Sequence, residues 1–176
     1  MAAERSFSQL DPLGRARITD VATKEASHRR ALAKARVFMK NETTAMVASN
    51  AITKGDVLAA ARIAGIQAAK QTALLIPLCH PLLVGAVNIS FNLGDDHVEV
   101  EAQVETFDRT GVEMEAMTAA MVAALTIYDM CKSSDRTMSI GEVALWEKTG
   151  GKAGIWRRPV GVDLDTFDAV NSSIES

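Results

Sequence analysis

Along this chain the spacing of apolar residues switches between two and about 3.6 in a set order, and that order leaves few folds open. From 30 to 40, Ala31, Ala33, Ala35, Val37 and Met39 fall on one side of Lys34 and Arg36, a period of two that predicts a strand. A short helical turn is expected at 43–48. Lys54-Gly55-Asp56 then opens a long apolar run that Pro77 stops, and with Asp56 placed as N-cap the run predicts a helix over 57–75. Val87, Ile89, Phe91 and Leu93 alternate with polar residues, Gly94-Asp95-Asp96 makes a turn, and Val98, Val100, Ala102 and Val104 alternate again, which is a β-hairpin. A second long helix is predicted over 110–132, with Thr110 as N-cap and Glu113 at the capping-box position. Met138, Ile140, Val143 and Leu145 predict a last strand broken at Gly141, ahead of a flexible loop at Gly150-Gly151-Lys152-Ala153-Gly154.

The order β, α, β, β, α, β is the split arrangement of ferredoxin-like domains, an α+β fold in which an antiparallel sheet carries two long helices on one face. With 176 residues and 48% hydrophobic content, one core is expected. It would occupy 19–159 as a single domain, between a flexible N-terminal segment at 1–18 and a flexible acidic tail at 160–176. The second helix is apolar nearly all round, with Met117, Met121 and Tyr128 on one side and Met114, Leu125 and Thr118 on another. A helix covering one sheet needs a single stripe. The surplus predicts burial against another subunit.

A net charge of −3 argues against a surface that wraps a nucleic acid, while leaving room for a small anion in a local basic pocket. The first ten residues hold no apolar segment of the kind a secretory signal needs. Arg62, Lys70, Glu115 and Asp129 interrupt the most apolar stretches and would be expensive in lipid. Cys79 and Cys131 are too few for a disulfide scaffold or a four-ligand zinc site, so no metal is expected. These readings together predict a cytoplasmic protein with neither membrane nor nucleic-acid partners.

Five groups of residues could carry chemistry. Leu78-Cys79-His80-Pro81 follows the first helix between two prolines that stiffen it, so His80 is held either as a proton donor or ligand-binding group or as a hydrogen-bonded loop residue. Cys79 reads as a small buried hydrophobe. Asp129 and Lys132, three apart, share a helix face and form either an acid–base pair or a surface salt bridge. Met114-Glu115 projects to nearly the same stripe, yet about 20 to 27 Å away at 1.5 Å per residue. No small ligand spans that along one helix, so a single site using both ends would set helix ends from two subunits side by side. Glu115 alone also suits a positive helix N-terminus. Lys54, at the entrance to the first helix, and Lys152, between glycines, are each placed to meet a phosphate or to sit in an ordinary turn.

Taken in order, Lys54-Gly55-Asp56-Val57, the run 61–70, Leu75-Ile76-Pro77-Leu78-Cys79-His80-Pro81-Leu82, Thr110-Gly111-Val112-Glu113-Met114-Glu115-Ala116, the run 125–132 and Gly150-Gly151-Lys152 resemble the cyclic pyranopterin monophosphate synthase family over all but the termini. The resemblance implies a ferredoxin-like subunit, a homohexamer built as a trimer of dimers, and active sites at the dimer interface. It implies that Leu78, Cys79, His80, Met114 and Glu115 line the substrate pocket, that Asp129 is catalytic, and that Lys54 and Lys132 are essential basic groups. The implied activity is a lyase of molybdenum cofactor biosynthesis. It converts (8S)-3',8-cyclo-7,8-dihydroguanosine 5'-triphosphate to cyclic pyranopterin monophosphate and diphosphate, with no cofactor expected. Interface burial would lower a lysine pKa toward neutrality, and Lys152 would meet the phosphate tail. Ala153 replaces a frequent Ser and Trp156-Arg157-Arg158 adds bulk, both departures falling on that loop. The rival reading is a ferredoxin-like module that binds a nucleotide or RNA without turnover. RNA binding through the sheet needs stacked aromatics, and the expected strands offer mainly Phe91, Phe107 and Trp146.

Overall fold

The computed structural model describes residues 9–11, 13–152 and 154–159. The expected acidic tail at 160–176 and residues 1–8 and 12 of the expected N-terminal segment lie outside the described residues. What is described of the latter closes a turn around Asp11, whose carboxylate accepts from the backbone of Leu13 and Arg15 and from Arg15 Nε.

Eight elements follow one another: strand β1 (Ser27–Phe38), helix α1 (Asn41–Ala48), helix α2 (Val57–Leu75), strands β2 (Ala86–Leu93) and β3 (His97–Asp108), helix α3 (Glu113–Cys131), and strands β4 (Ser139–Thr149) and β5 (Trp156–Arg157). They form one antiparallel sheet in the order β2-β3-β1-β4-β5. Its first four strands have the ferredoxin-like order. Period-two patterning puts Ala31, Ala33, Ala35 and Val37 of β1 directly opposite Val104, Ala102, Val100 and Val98 of β3, and all eight are buried. The small side chains of β1 leave room for α3 to lie close against the sheet with its own Ala116, Ala119, Ala120, Ala123 and Ala124 fully buried. By length and apolarity α3 has the composition of a membrane span, but that alanine stripe is the core of this domain.

Helix α2 packs beside α3 and against β2, and Gly65 sets the separation of the two helices. A Cβ there would stand 2.9 Å from the carbonyl oxygen of Ala119 and 3.2 Å from Ala123 Cβ. The start of α2 is as its sequence predicts, with the Asp56 carboxylate accepting from the Ala59 N–H at 2.9 Å.

Three expectations need correction. The second long helix begins at Glu113 rather than 110, and Val112, buried and without a capping bond, takes the place assigned to Thr110. Burying Val112 fixes how the chain enters the helix, and Glu113 is drawn instead into an ion pair with Lys148 at 2.8 Å. Next, Trp156-Arg157 is not merely a bulky loop: it pairs with Glu147 and Lys148 as β5, and Arg157 Nε donates to Glu147 at 2.7 Å. Finally, the turn expected at 43–48 is a two-turn helix, α1, beginning at Asn41. The break at Gly141 is real: the β1–β4 register shifts beside it, and Glu142 takes a positive φ of 51°.

Candidate active site

The two ends of α3 carry separate groups of polar side chains. At its C-terminal end the Asp129 carboxylate lies between two lysines. Lys132 Nζ meets Oδ1 at 2.7 Å and Lys54 Nζ meets Oδ2 at 3.1 Å, while Lys54 also donates to the Asp129 backbone carbonyl at 2.8 Å. That carbonyl belongs to the last turn, where helix carbonyls lack intrahelical partners and the dipole favours a cation. Lys54 is delivered there by a tight turn. Ile52 is buried, Gly55 N–H donates to its carbonyl at 3.0 Å, and Gly55 takes a φ of 102° that other residues rarely adopt. The lysines lower the Asp129 pKa, Lys132 more than Lys54, and Asp129 in turn raises that of Lys132. Within one chain, then, Lys132 is moved away from neutrality, the reverse of the lowering expected from burial. All three side chains remain about half exposed.

At the N-terminal end, Glu115 is 2% exposed although charged residues seldom are. Its Oε1 accepts from Cys79 Sγ at 3.5 Å, and its Oε2 finds no partner among the described residues. Burial pushes the Glu115 carboxyl above its ordinary range, and burial followed by the Glu115 charge pushes the Cys79 thiol up to about 11. Cys79 is therefore a neutral hydrogen-bonding group rather than a nucleophile. Leu78 and His80 flank it half-buried, and Met114 beside Glu115 is exposed.

A cavity of about 180 Å³ opens at this same end, lined by Arg29, Arg30, Gly111, Val112, Glu113, Lys148, Thr149, Gly150 and Lys152. Four cations face one carboxylate in it. The Nε atoms of Arg29 and Arg30 are enclosed without a hydrogen-bond partner among the described residues. Such donors suit an anion. Lys152 thus joins a basic cluster that sequence reasoning missed. One signal was present: Arg29 is in phase with the buried Ala31 and Ala33, where a charge needs a reason. Gly150, at φ 99°, passes so close to the His28 backbone carbonyl that no side chain fits, and Gly151, at φ 71°, lies against the Arg29 guanidinium.

The structure therefore brings Lys54, Asp129 and Lys132 together, and Cys79 with Glu115, but does not bring the two groups together. Glu115 and Asp129 are 14 positions apart on one straight helix, about 21 Å at 1.5 Å per residue. Along α3 runs a stripe of exposed apolar side chains, Met114, Met121 and Leu125, with Ile63, Leu74 and Leu75 exposed on α2.

Fold and site together define a ferredoxin-like α+β protein with a lysine–aspartate–lysine ion-pair cluster and a basic, anion-sized cavity. More particularly, the chain belongs to the MoaC family, whose sequence model matches residues 18–151. It is 54% identical over 154 residues to a cyclic pyranopterin monophosphate synthase of Thermomicrobium roseum, covering 86% of this chain and 93% of that one. A synthase of the same name from Heliobacterium modesticaldum is 52% identical over 154 residues, covering 86% and 97%. Cyclic pyranopterin monophosphate synthase 1 of Mycobacterium tuberculosis is 51% identical over 154 residues, covering 87% and 91%.

Proposed function

We propose that this protein is a cyclic pyranopterin monophosphate synthase, a lyase of molybdenum cofactor biosynthesis that rearranges 3',8-cyclo-7,8-dihydro-GTP and releases diphosphate. The observation that carries the reading is the convergence of Lys54 and Lys132 on one carboxylate, inside a chain about half identical to synthases over nearly their full lengths. Opening the ring, forming the pyran and closing the cyclic phosphate all move protons between carbon, nitrogen and oxygen, and two lysines on one carboxylate can give and take them. In this reading Asp129 is the catalytic carboxylate that fixes both ammonium groups, and Lys54 and Lys132 transfer protons.

Leu78, Cys79, His80, Met114 and Glu115 form the pocket for the fused rings. The cavity lined by Arg29, Arg30, Lys148 and Lys152 suits the triphosphate, whose charge matches its surplus of cations. The exposed apolar stripe along α3 supports assembly, because it links the two groups and offers a surface that a second subunit would cover. A dimer would set the Lys54–Asp129–Lys132 end of one subunit against the Glu115 end of its partner, and three such dimers would make a homohexamer, working in the cytoplasm. Incubating the purified protein with the cyclised dihydro-GTP and following the mixture by mass spectrometry tests the activity. Appearance of diphosphate and a cyclic pterin phosphate is expected, whereas binding with recovery of intact substrate would favour the non-catalytic module.

A further inference from the structure

Asp135 is as buried as Glu115, at 2% exposure, yet it takes no part in the site as described. It lies three residues beyond Lys132 in the turn that follows α3. Its Oδ2 accepts from the backbone N–H of Lys40 at 2.9 Å and from Thr43 Oγ1 at 3.4 Å, and its Oδ1 accepts from the N–H and Oγ1 of Thr137 at 2.9 and 2.7 Å. Four donors converge on two oxygens, and they hold the carboxyl well below its ordinary value, at about 2.

The two sides of this clamp lead to the two sides of the lysine–aspartate cluster. On one side, the Asp135 and Ser134 N–H groups donate to the Cys131 carbonyl and Lys132 N–H donates to Tyr128, so the turn is a continuation of the helix end that carries Asp129 and Lys132. On the other, Lys40 and Thr43 start α1. From α1 successive turn hydrogen bonds, Ser49 to Ala45, Ala51 to Met46 and Gly55 to Ile52, lead to Lys54. The cluster itself has little to hold it in register. Its three side chains are half exposed, and ion pairs of that exposure are weak and screened. Proton transfer demands placement within a fraction of an ångström, which must then come from the frame behind the side chains.

We infer that Asp135 is a positioning residue: its buried carboxylate ties the start of α1 to the turn after α3 and so sets the distance between Lys54 and the Asp129–Lys132 pair. The inference rests on the reading of that cluster as catalytic. Asp135→Asn keeps the volume but turns an NH₂ toward donors that need an acceptor, so the tie loosens on one side. Thr137→Val removes one of the four donors and nothing charged.

The test compares kcat, KM and the pH profile of turnover for the wild type, Asp135→Asn, Thr137→Val and Lys54→Ala, each checked for folding by circular dichroism. Folded Asp135→Asn is expected to lose about 10- to 100-fold in kcat with KM within about threefold. Its lysine limb should move to lower pH, because Lys132 keeps less of the contact that raises its pKa. Thr137→Val should move both readings the same way by less, and it carries the test alone if Asp135→Asn does not fold. Wild-type kcat and an unmoved profile in the folded variants, even with a lower melting temperature, overturn the inference and leave the reading of the site intact. Wild-type turnover in Lys54→Ala overturns that reading, and the inference falls with it.

Discussion

Replacing Lys54 with Ala separates catalysis from stability. In the structure Lys54 makes two contacts, to the Asp129 carboxylate and to the Asp129 carbonyl at the end of α3. Its side chain is 42% exposed and that of Asp129 56%, so water and salt screen the pair and its loss should hardly be felt by the fold. A fall in melting temperature of less than about 4 °C is expected, and solvent can replace the lost donor at the carbonyl. Loss of a proton-transfer group is a different matter, at about 10²- to 10⁴-fold in rate, or roughly 3 to 5 kcal/mol of barrier. Continuous measurement of diphosphate release gives kcat/KM, and thermal unfolding followed by circular dichroism gives the stability. A loss below about fivefold, or a loss that follows the fraction unfolded, would refute the role assigned to Lys54.

Gly65→Ala adds helix propensity worth about 1 kcal/mol but drives a methyl group to 2.9 Å from the Ala119 carbonyl oxygen, on a backbone that has little freedom to retreat. A net loss of about 1 to 3 kcal/mol in urea unfolding is expected, with Gly65→Val worse; an Ala variant more stable than wild type would show that α2 and α3 are not in tight contact. Burial raises the Glu115 pKa above 4.5, so its contribution to stability is full below that value and is lost as pH rises through the folded one. Glu115→Gln should therefore raise the melting temperature at about pH 8, make no such difference at about pH 4, and lower turnover; equal melting temperatures at both pH values would count against a buried, unpaired carboxyl.

The core was readable because a period of two in β1 and β3 and an apolar run between Asp56 and Pro77 are local signals, each written in consecutive residues. The start of α3 was not, since Thr110 and Glu113 form a regular capping pattern that lost to the burial of Val112 and to Lys148, 35 positions away. The two residues of β5 are too few to show any period. At the site, Asp129 and Lys132 were legible as an i, i+3 pair, but nothing local brings Lys54 to them from 75 positions away. The basic cavity escaped for the same reason: it collects residues from the start of β1, the entry to α3 and the end of β4. Asp135 reads in sequence as an ordinary turn residue after two serines, and only burial against α1 gives it its place.

The central claim is that one working site needs both ends of α3, about 21 Å apart in a single chain, and hence two subunits. Lys54 and Asp129 meet within one chain, so variants of those two fall on the same side of the interface and cannot rescue each other. Lys54→Ala and Glu115→Gln fall on opposite sides. Each alone should be nearly inactive, and after dissociation and reassembly of an equal mixture, activity should return to about a quarter of wild type, since half of the dimers pair unlike subunits and each of those holds one intact site. No recovery, with subunit exchange demonstrated by mass spectrometry of differently tagged chains, would contradict a site shared between subunits.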